Sequence, residues 1–278
     1  MRIAVVAPVA VVALAGGMLV HSCERGGGAG DHGPGTHARA AAAADVKVER
    51  LGVEVVEILP HDPTAFTQGL EMNGGTLYES TGVVGRSSVR AGPLGKSPAV
   101  RAELPAPLFG EGITVMGPTL WQLTWQNGIA VEREARTLAE LRRVPYQDEG
   151  WGVCHQRHRD RLVTSNGSAR LTFRDPRTLV KTGDVAVTAH GKPVARLNEL
   201  ECVGDTVYAN VWPADRIVRI DANTGTVTGD IDAPALLSAA EKQHAYVMNG
   251  IAAVPGTDQF LLTGKSWPKM FRVTFVPK

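Results

Sequence analysis

Short runs of alternating apolar and polar residues dominate the chain from Val46 onward. The alternation is clearest in residues 216–221 and again near the C-terminus in residues 271–275. Side chains that alternate with a period of two belong to strands with one buried face, and turn residues such as Asn73-Gly74-Gly75 separate these runs about every ten residues. The pattern predicts strands joined in chain order by short turns, and only residues 233–244 have the composition of a helix.

A short motif returns five times in this part of the chain, centred on Gly69, Gly112, Gly152, Leu200 and Gly250. Each copy is followed by a second apolar run, beginning at Leu77, Leu120, Leu162, Val207 and Phe260. These runs recur about every 40 to 50 residues, which is the size of one four-stranded propeller blade. The spacing predicts an all-β fold, a five-bladed β-propeller over residues 46–278.

Equivalent positions of a repeated unit face the same way, so their side chains meet if the units surround an axis. The residue before each motif centre is Gln68, Glu111, Trp151, Glu199 or Asn249. Five residues after the start of each second run stand Gly82, Trp125, Gly167, Trp212 and Lys265. A buried polar side chain in a packed strand needs a hydrogen-bond partner or has a role in binding or chemistry. The chemistry is therefore expected where these positions converge, and the strand glycines are expected where another backbone comes close.

Composition narrows the function classes. The chain has 278 residues, 44% of them hydrophobic, and a net charge of +1 with no runs of Lys or Arg. This length can bury a sizeable core, and the uninterrupted repeats favour one domain. Nucleic acid is excluded as a partner because that binding needs a basic stripe.

The composition of the first 45 residues predicts a targeting segment followed by a linker. Arg2 precedes an apolar stretch, and residues 1–23 have the layout of a secretory signal peptide. Cys23 ends a stretch that resembles a bacterial lipoprotein box, in which His21 is unusual, so lipid attachment at Cys23, a plain signal peptide and an uncleaved anchor all stay open. Residues 24–45 lack large apolar side chains and are expected to form a flexible linker. Export to the cell envelope or the extracellular space is expected.

Several motifs resemble those of the plant and bacterial type of glutaminyl-peptide cyclotransferase. In chain order they are Phe66-Thr67-Gln68-Gly69-Leu70, Tyr78-Glu79-Ser80-Thr81-Gly82, Phe109-Gly110-Glu111-Gly112-Ile113, Gln122-Leu123-Thr124-Trp125, Gly150-Trp151-Gly152, Asn198-Glu199-Leu200-Glu201, Tyr208-Ala209-Asn210-Val211-Trp212 and Gly264-Lys265. The resemblance implies a five-bladed β-propeller that converts the N-terminal glutamine of peptides or proteins into pyroglutamate and releases ammonia, without a metal or other cofactor. It places the functional residues at Phe66, Gln68, Phe109, Glu111, Trp125, Trp151, Asn198, Trp212 and Lys265. A monomer is expected.

The reaction needs few protein groups. The substrate's α-amine attacks its own side-chain amide, so the enzyme must mainly hold the attack geometry and move one proton. Our hypothesis is that Glu111 takes this proton and delivers it to the leaving ammonia. Gln68, Asn198 and Lys265 would bind the amide and the developing negative charge. The binding residues Phe66, Phe109, Trp125, Trp151 and Trp212 would wall the pocket, and the indoles would raise the pKa of Glu111 by excluding water.

Two other function classes remain open on the residues alone. A calcium-dependent propeller lactonase or esterase would use Glu111, Asn198, Glu199 and Asn249 as oxygen ligands. A non-catalytic secreted propeller would bind a sugar or peptide in the Trp-lined mouth. Departures from the family pattern at Val83-Val84-Gly85, Asn166 and Cys202 bear on substrate preference and packing rather than on the reaction.

Some residues have a simpler interpretation. Trp121 and Trp267 are expected in the core, and His155 and His158 in an exposed polar loop rather than a metal site. Cys154 and Cys202 lie in adjacent units, and whether they form a disulfide depends on a Cα separation that sequence does not give.

Overall fold

The computed structural model describes residues 46–234 and 236–278, which fold almost entirely into strands. The expected signal peptide (residues 1–23) and linker (residues 24–45) lie outside the described residues. Within the described ranges, no helix is long and apolar enough to cross a bilayer.

The strands are short and follow one another closely. In chain order they are β1 (Glu49–Pro60), β2 (Thr67–Asn73), β3 (Thr76–Thr81), β4 (Ser88–Pro93), β5 (Val100–Glu103), β6 (Gly110–Met116), β7 (Thr119–Thr124), β8 (Ile129–Glu134), β9 (Glu140–Pro145), β10 (Val153–Gln156), β11 (Arg161–Thr164), β12 (Arg170–Arg174), β13 (Lys181–Ala186), β14 (Thr188–Ala189), β15 (Lys192–Pro193), β16 (Leu197–Val203), β17 (Thr206–Val211), β18 (Arg216–Asp221), β19 (Val227–Asp232), β20 (Met248–Ala253), β21 (Phe260–Gly264) and β22 (Lys269–Pro277). A 3-10 turn covers Arg157–Arg159, and the α-helix α1 covers Ala239–Lys242.

Neighbouring strands pair in antiparallel meanders, as the alternation and the turn signals predict. Unit one is β2–β5, unit two is β6–β9 and unit three is β10–β13, each a four-stranded sheet. Unit four (β16–β19) and unit five (β20–β22) share an eight-stranded sheet in the order β16-β17-β18-β19-β1-β22-β21-β20. The second strand of every unit begins within one residue of the position that the repeat predicts.

Strand β1 joins the two ends of the described chain. It pairs with β22 in antiparallel fashion from Leu51 to Pro60, which gives unit five its fourth strand. Its first residues, Glu49 to Leu51, also pair in parallel with β19 of unit four. The earliest strand in the sequence thus completes the sheet built from the last three.

The helix is shorter than the composition of residues 233–244 suggests. It begins only after Ser238, whose side chain accepts a hydrogen bond from the Glu241 backbone while the Glu241 carboxylate caps the Ser238 backbone. This capping box fixes the helix start and leaves a single turn. His155 also differs from expectation, because it lies in β10 rather than in a loop. His158 lies in the 3-10 turn and is exposed, as expected.

The first strands of the units crowd against one another. We call β2, β6, β10, β16 and β20 the inner strands; each contacts the inner strand of the next unit, and β20 contacts β2. A Cβ atom at Gly112 would lie 2.7 Å from the Trp151 carbonyl oxygen, and one at Gly152 would lie 2.2 Å from that of Asn198. These strand glycines therefore mark close backbone approach, as the sequence predicts.

Buried carboxylates cross-link the inner strands. Glu199 on β16 accepts hydrogen bonds from the backbone N–H of Leu70 on β2 at 3.1 Å and of Ile251 on β20 at 2.8 Å. Glu71 on β2 accepts one from Val115 on β6 at 2.8 Å. Burial raises the pKa of Glu199 well above its ordinary value and that of Glu71 to about 7, while the backbone N–H donors oppose both shifts. The two side chains thus satisfy backbone groups that lack a strand partner.

Five of the six apolar clusters among the described residues lie between successive units. Leu120 and Ile113 pack with Tyr78 of unit one, and Trp121 packs with Leu162 of unit three. The remaining three clusters join units three and four, four and five, and five and one. Trp121 and Trp267 are both buried in these clusters, which confirms the prediction that they are core residues.

A disulfide links two inner strands. Cys154 on β10 and Cys202 on β16 are bonded, with their Cα atoms 5.4 Å apart. The alternative that the sequence left open is therefore resolved in favour of a bridge between units three and four.

A buried ion cluster lies between units one and five. The Glu79 carboxylate accepts hydrogen bonds from Thr67 at 2.7 Å and from the Arg90 Nε at 2.8 Å, and it pairs with His61 at 3.0 Å. The His61 ring also contacts the Trp267 carbonyl at 2.7 Å. Burial alone would raise the pKa of Glu79, but the charges of His61 and Arg90 and these hydrogen bonds lower it to about 2. Glu79 therefore stabilises the fold as a carboxylate.

We expect Glu79→Gln to lower the free energy of unfolding at pH 7 by about 3 kcal/mol, because it removes the carboxylate that compensates buried His61 and Arg90, and only Arg90 keeps a second carboxylate partner, Asp62. The folded pKa lies below the ordinary value of 4.5, so the stabilisation is complete above about pH 5 and is lost as the pH falls toward 2. Urea unfolding at pH 7 and pH 3 measures this, and the gap between wild type and variant should narrow at pH 3. Glu103→Gln, in an exposed ion pair with Arg101, is the control and should change stability by less than about 1 kcal/mol. A gap equal at both pH values would contradict the assignment.

Candidate active site

The candidate residues lie at one end of the inner strands. Gln68, Glu111 and Asn198 are each the second residue of an inner strand. The residues that directly follow the second strand of units two, four and five are Trp125, Trp212 and Lys265. In an antiparallel pair the start of one strand meets the end of the other. The topology therefore brings both sets to the same edge of the sheets, as the repeat register predicts.

β-Bulges mark the same positions. The register between first and second strands shifts at Gln68, at Glu111-Gly112, at Asn198-Glu199 and at Asn249-Gly250. A bulge adds an unpaired residue to one strand and re-aims its side chain, and bulges are frequent beside active sites. Four of the five inner strands thus depart from regular pairing where the sequence places a polar residue.

A chain of side-chain amides leads to Glu111. Asn249 Nδ2 donates to Gln68 Oε1 at 3.2 Å, and Gln68 Nε2 donates to Glu111 Oε1 at 3.1 Å. Asn249 Nδ2 also donates to the Thr67 carbonyl at 3.2 Å, which anchors the chain to the backbone. With its oxygen occupied by Asn249, Gln68 presents its amide hydrogens to the carboxyl group. Asn249 shares the register position of Gln68 and Glu111, and that position was the signal from which its role could have been predicted.

Glu111 and Lys265 shift each other's titration through space. Burial raises the pKa of Glu111 well above its ordinary value; the Lys265 charge opposes this shift and the Glu149 charge adds to it. Burial likewise lowers the pKa of Lys265, and Glu111 opposes that shift. Both groups are buried. The site therefore favours the neutral form of each group more than water does.

Aromatic rings wall the pocket in contacting pairs. Phe109 and Trp125 meet edge to face at 5.8 Å between centroids, and Trp151 and Trp212 do so at 6.2 Å. The Lys265 Nζ lies 5.0 Å from the centroid of Phe66, a distance at which an ammonium is attracted to the ring face. The glycines at the remaining register positions leave room for this wall, because a Cβ at Gly82 would lie 2.3 Å from the Phe109 ring and one at Gly167 would lie 2.7 Å from that of Trp151.

Sequence reasoning missed Glu149. Its Oε2 accepts hydrogen bonds from Trp125 Nε1 at 3.2 Å and from Trp151 Nε1 at 3.1 Å, and its Oε1 accepts one from Gln126 Nε2 at 2.7 Å. The residue lies in the loop between β9 and β10, outside the repeated positions. Its nearness to the Gly150-Trp151-Gly152 motif was the available signal.

Asn198 lies on the same edge without joining the amide chain. Its backbone carbonyl accepts a hydrogen bond from Ser165 Oγ at 2.6 Å. Among residues 46–234 and 236–278, no hydrogen bond connects its side chain to Gln68, Glu111 or Lys265. The residue is buried in β16.

The calcium-site interpretation has little support from the geometry. Both carboxylate oxygens of Glu199 accept backbone N–H groups, and Asn249 is hydrogen-bonded to Gln68. Across the described ranges, no group of three or more His, Cys, Asp or Glu side chains is arranged to hold a metal ion. Glu199 and Asn249 thus serve the backbone and the amide chain rather than a shared cation.

The arrangement suits proton transfer in a dry pocket. A carboxyl group of raised pKa can accept and return a proton near neutral pH, where an exposed carboxylate would stay ionised. The Gln68 amide and the Lys265 ammonium supply donors beside it. A cavity of about 410 Å³ does lie elsewhere, beside β1, β3 and β4, but the buried charges there, Glu79 and Arg90, already pair with each other.

The chain is similar to known proteins in both sequence and structure. The sequence profile of the family described as glutamine cyclotransferase matches residues 33–275. A glutaminyl-peptide cyclotransferase of Arabidopsis thaliana is 36% identical over 227 residues, which cover 80% of this chain and 70% of the relative. The crystal structure of the Myxococcus xanthus glutaminyl cyclase is similar with a TM-score of 0.75 and 35% identity, over 84% of this chain and 100% of that one.

We expect Lys265→Met to raise the pKa of Glu111 further, because the Lys265 charge is the group that opposes the effect of burial. The measurement is a pH titration of the ¹³C resonances of labelled glutamate side chains, in which Glu111→Gln identifies the signal by deletion. Lys269→Met is the matched control: Lys269 pairs with Glu241 and should leave the Glu111 midpoint in place. A Glu111 midpoint that falls or stays in the Lys265 variant would contradict the coupling.

Proposed function

The chain belongs to the glutamine cyclotransferase family, and we propose that it converts the N-terminal glutamine of peptides or proteins into pyroglutamate with release of ammonia. The reaction is an acyl transfer within the substrate, so the protein is an acyltransferase. The observation that carries the proposal is the buried Glu111 carboxyl group, hydrogen-bonded to Gln68.

The bond changes balance with one proton carried by the protein. The substrate's α-amine nitrogen forms a bond to its own side-chain amide carbon, and the bond from that carbon to the amide nitrogen breaks. The attacking nitrogen gives up one proton and the departing nitrogen gains one, so ammonia leaves. No side chain of the protein bonds to the substrate. A free N-terminal amine has a pKa of about 7.7 to 8.0, so a useful neutral fraction is present near pH 7.

Glu111 is the proposed proton carrier. Its carboxylate form takes the proton from the attacking nitrogen, and its acid form delivers the proton to the leaving nitrogen. The raised pKa brings the affinity of the carboxyl group for protons closer to that of the groups it serves, which is favourable for a group that acts in both directions.

The neighbouring side chains bind and orient the substrate. Gln68 and Lys265 lie beside Glu111 and can donate to the amide oxygen as negative charge develops on it. Asn198 acts from the same edge. Phe66, Phe109, Trp125, Trp151 and Trp212 exclude water and hold the glutamine side chain folded back on its own amine.

The fold proposed for this activity is a five-bladed β-propeller. Support comes from five meander units, from the cyclic order of contacts among the inner strands, and from β1, which gives unit five its fourth strand. In this arrangement the bulged ends of the inner strands surround one axis, and Glu111 lies at the mouth.

The proposed site of action is outside the cytoplasm. Residues 1–23 have the layout of a signal peptide, with Cys23 as the residue that would carry a lipid, and residues 24–45 would tether the catalytic part as a monomer. The Cys154–Cys202 disulfide supports an oxidising compartment, where such bonds persist.

We expect Glu111→Gln to lower kcat by about 10²- to 10⁴-fold, the usual contribution of a positioned acid or base. The amide oxygen still accepts the hydrogen bond from Gln68, so the urea midpoint should stay close to that of the wild type. Glu71→Gln is the matched control, since Glu71 is another buried carboxyl group with a raised pKa on an inner strand, and it should keep turnover. Wild-type turnover in the Glu111 variant would remove Glu111 from the reaction.

Ammonia release from a glutaminyl dipeptide should be the same before and after dialysis against a divalent-cation chelator. Coupled detection of ammonia, and mass spectrometry of the cyclised product, which has lost the mass of one ammonia, measure the reaction directly. Loss of activity after chelation would favour a cation-dependent enzyme, and binding of the dipeptide without ammonia would favour a binding protein.

A further inference from the structure

The loop between β9 and β10 places a charged carboxylate, Glu149, against the aromatic wall. We propose that Glu149 is a positioning residue of this pocket: it holds the indoles of Trp125 and Trp151 in place and supplies a negative charge that acts on Glu111. The inference rests on the proposed function, because its role is defined by the proton carrier.

One carboxylate joins the loops of two units. Trp125 follows β7 of unit two, whereas Trp151 precedes β10 of unit three, and both indole N–H groups point to the same oxygen, Oε2. Because Trp125 contacts Phe109 and Trp151 contacts Trp212, Glu149 joins two aromatic pairs into one continuous wall. Gln126 fixes the other oxygen.

The backbone on both sides of Glu149 is held firmly. Its N–H donates to Asp148 Oδ1 at 2.9 Å, and Asp148 in turn accepts from Arg174 at 3.2 Å. The N–H of Gly150 donates to the carbonyls of Thr124 at 3.2 Å and Trp125 at 3.0 Å. A Cβ at Gly150 would lie 2.5 Å from the Thr124 carbonyl oxygen, so only glycine permits this approach. The carboxylate is therefore positioned before substrate arrives.

Packing alone does not call for a charge at this place. Trp125 is 40% exposed, so water could satisfy its indole N–H, and a neutral amide oxygen could accept from both indoles. A carboxylate gives the same hydrogen bonds and adds a charge near a dry site, where charges act over longer distances than in water.

The charge of Glu149 affects the ionisation of Glu111 in the opposite direction to the charge of Lys265. The charged groups acting on Glu111 are Lys265, which follows β21 and favours the ionised carboxylate, and Glu149, which disfavours it; the contacting Gln68 is neutral. Glu149 thus helps Glu111 keep the proton that it must give to the leaving nitrogen. Without Glu149, only burial would oppose the effect of Lys265 on the pKa of Glu111. That pKa would then fall, and Glu111 would be a weaker base.

Two substitutions separate the two roles. Glu149→Gln keeps an oxygen for both indoles and removes the charge. The KM for a glutaminyl dipeptide should therefore stay within about threefold of the wild-type value, since misplacement of the site would cost roughly a hundredfold. In the ¹³C titration of labelled glutamate side chains, the Glu111 midpoint should move to lower pH, because a charge that disfavours its carboxylate has been removed. Glu149→Ala removes both roles, and kcat/KM should fall by about ten- to a hundredfold.

A second measurement does not depend on turnover. Acrylamide should quench indole fluorescence more strongly in Glu149→Ala than in Glu149→Gln or wild type, because the two rim indoles lose their anchor while Trp121 and Trp267 stay buried. Gln126→Ala is the control; it removes only the contact to Oε1 and should leave both the quenching and the Glu111 titration midpoint unchanged.

The outcomes are distinct from those that test the proposed function. A Glu111 titration midpoint in Glu149→Gln equal to that of the wild type would overturn the electrostatic role. Quenching of Glu149→Ala equal to that of the wild type would overturn the positioning role. A wild-type protein that releases no ammonia would instead overturn the proposed activity, while the quenching comparison would still test the anchoring of the indoles.

Discussion

Close approach of the inner strands is the constraint on which the rest of the molecule depends. At Gly112 and Gly152 the backbones of neighbouring units come so near that a single methyl group would collide with a carbonyl oxygen. Such crowding excludes water and forbids regular pairing along the whole length of each strand. The bulges at the strand starts, the carboxylates that satisfy unpaired N–H groups and the dry surroundings of Glu111 all follow from it.

The same crowding buries carboxyl groups, and the pKa values of two of them, Glu79 and Glu111, shift in opposite directions. Glu79 is buried among His61, Arg90 and Thr67, and these partners keep it ionised. Glu111 is buried with one amide donor, Gln68, and with the charge of Lys265, and desolvation prevails. The two carboxyl groups have the same chemistry and similar burial, so the number of donors around each decides whether it stabilises the fold or exchanges protons.

Much of the architecture was predictable because it repeats. The alternation of residues and the recurrence of a short motif locate the second strand of every unit, and the shared register brings Gln68, Glu111 and Lys265 to one edge. Family motifs added Phe66, Phe109 and Asn198, which no periodicity distinguishes. Glu149 could not be derived in this way, because hydrogen bonds between loops depend on side-chain directions that a repeat pattern does not encode. The Cys154–Cys202 bridge required a Cα separation, and the short helix reflects a capping box at Ser238 that composition alone does not reveal.

Strand β1 has a consequence for how the molecule is made. Its residues precede all five units, yet their antiparallel partners lie in β22, the last of the described strands. Units one to three can each pair strands that are neighbours in sequence, whereas the sheet of unit five is complete only when β22 meets β1 across the whole described fold. Closure therefore depends on a contact of very long sequence separation, and loss of either β1 or β22 damages the same sheet.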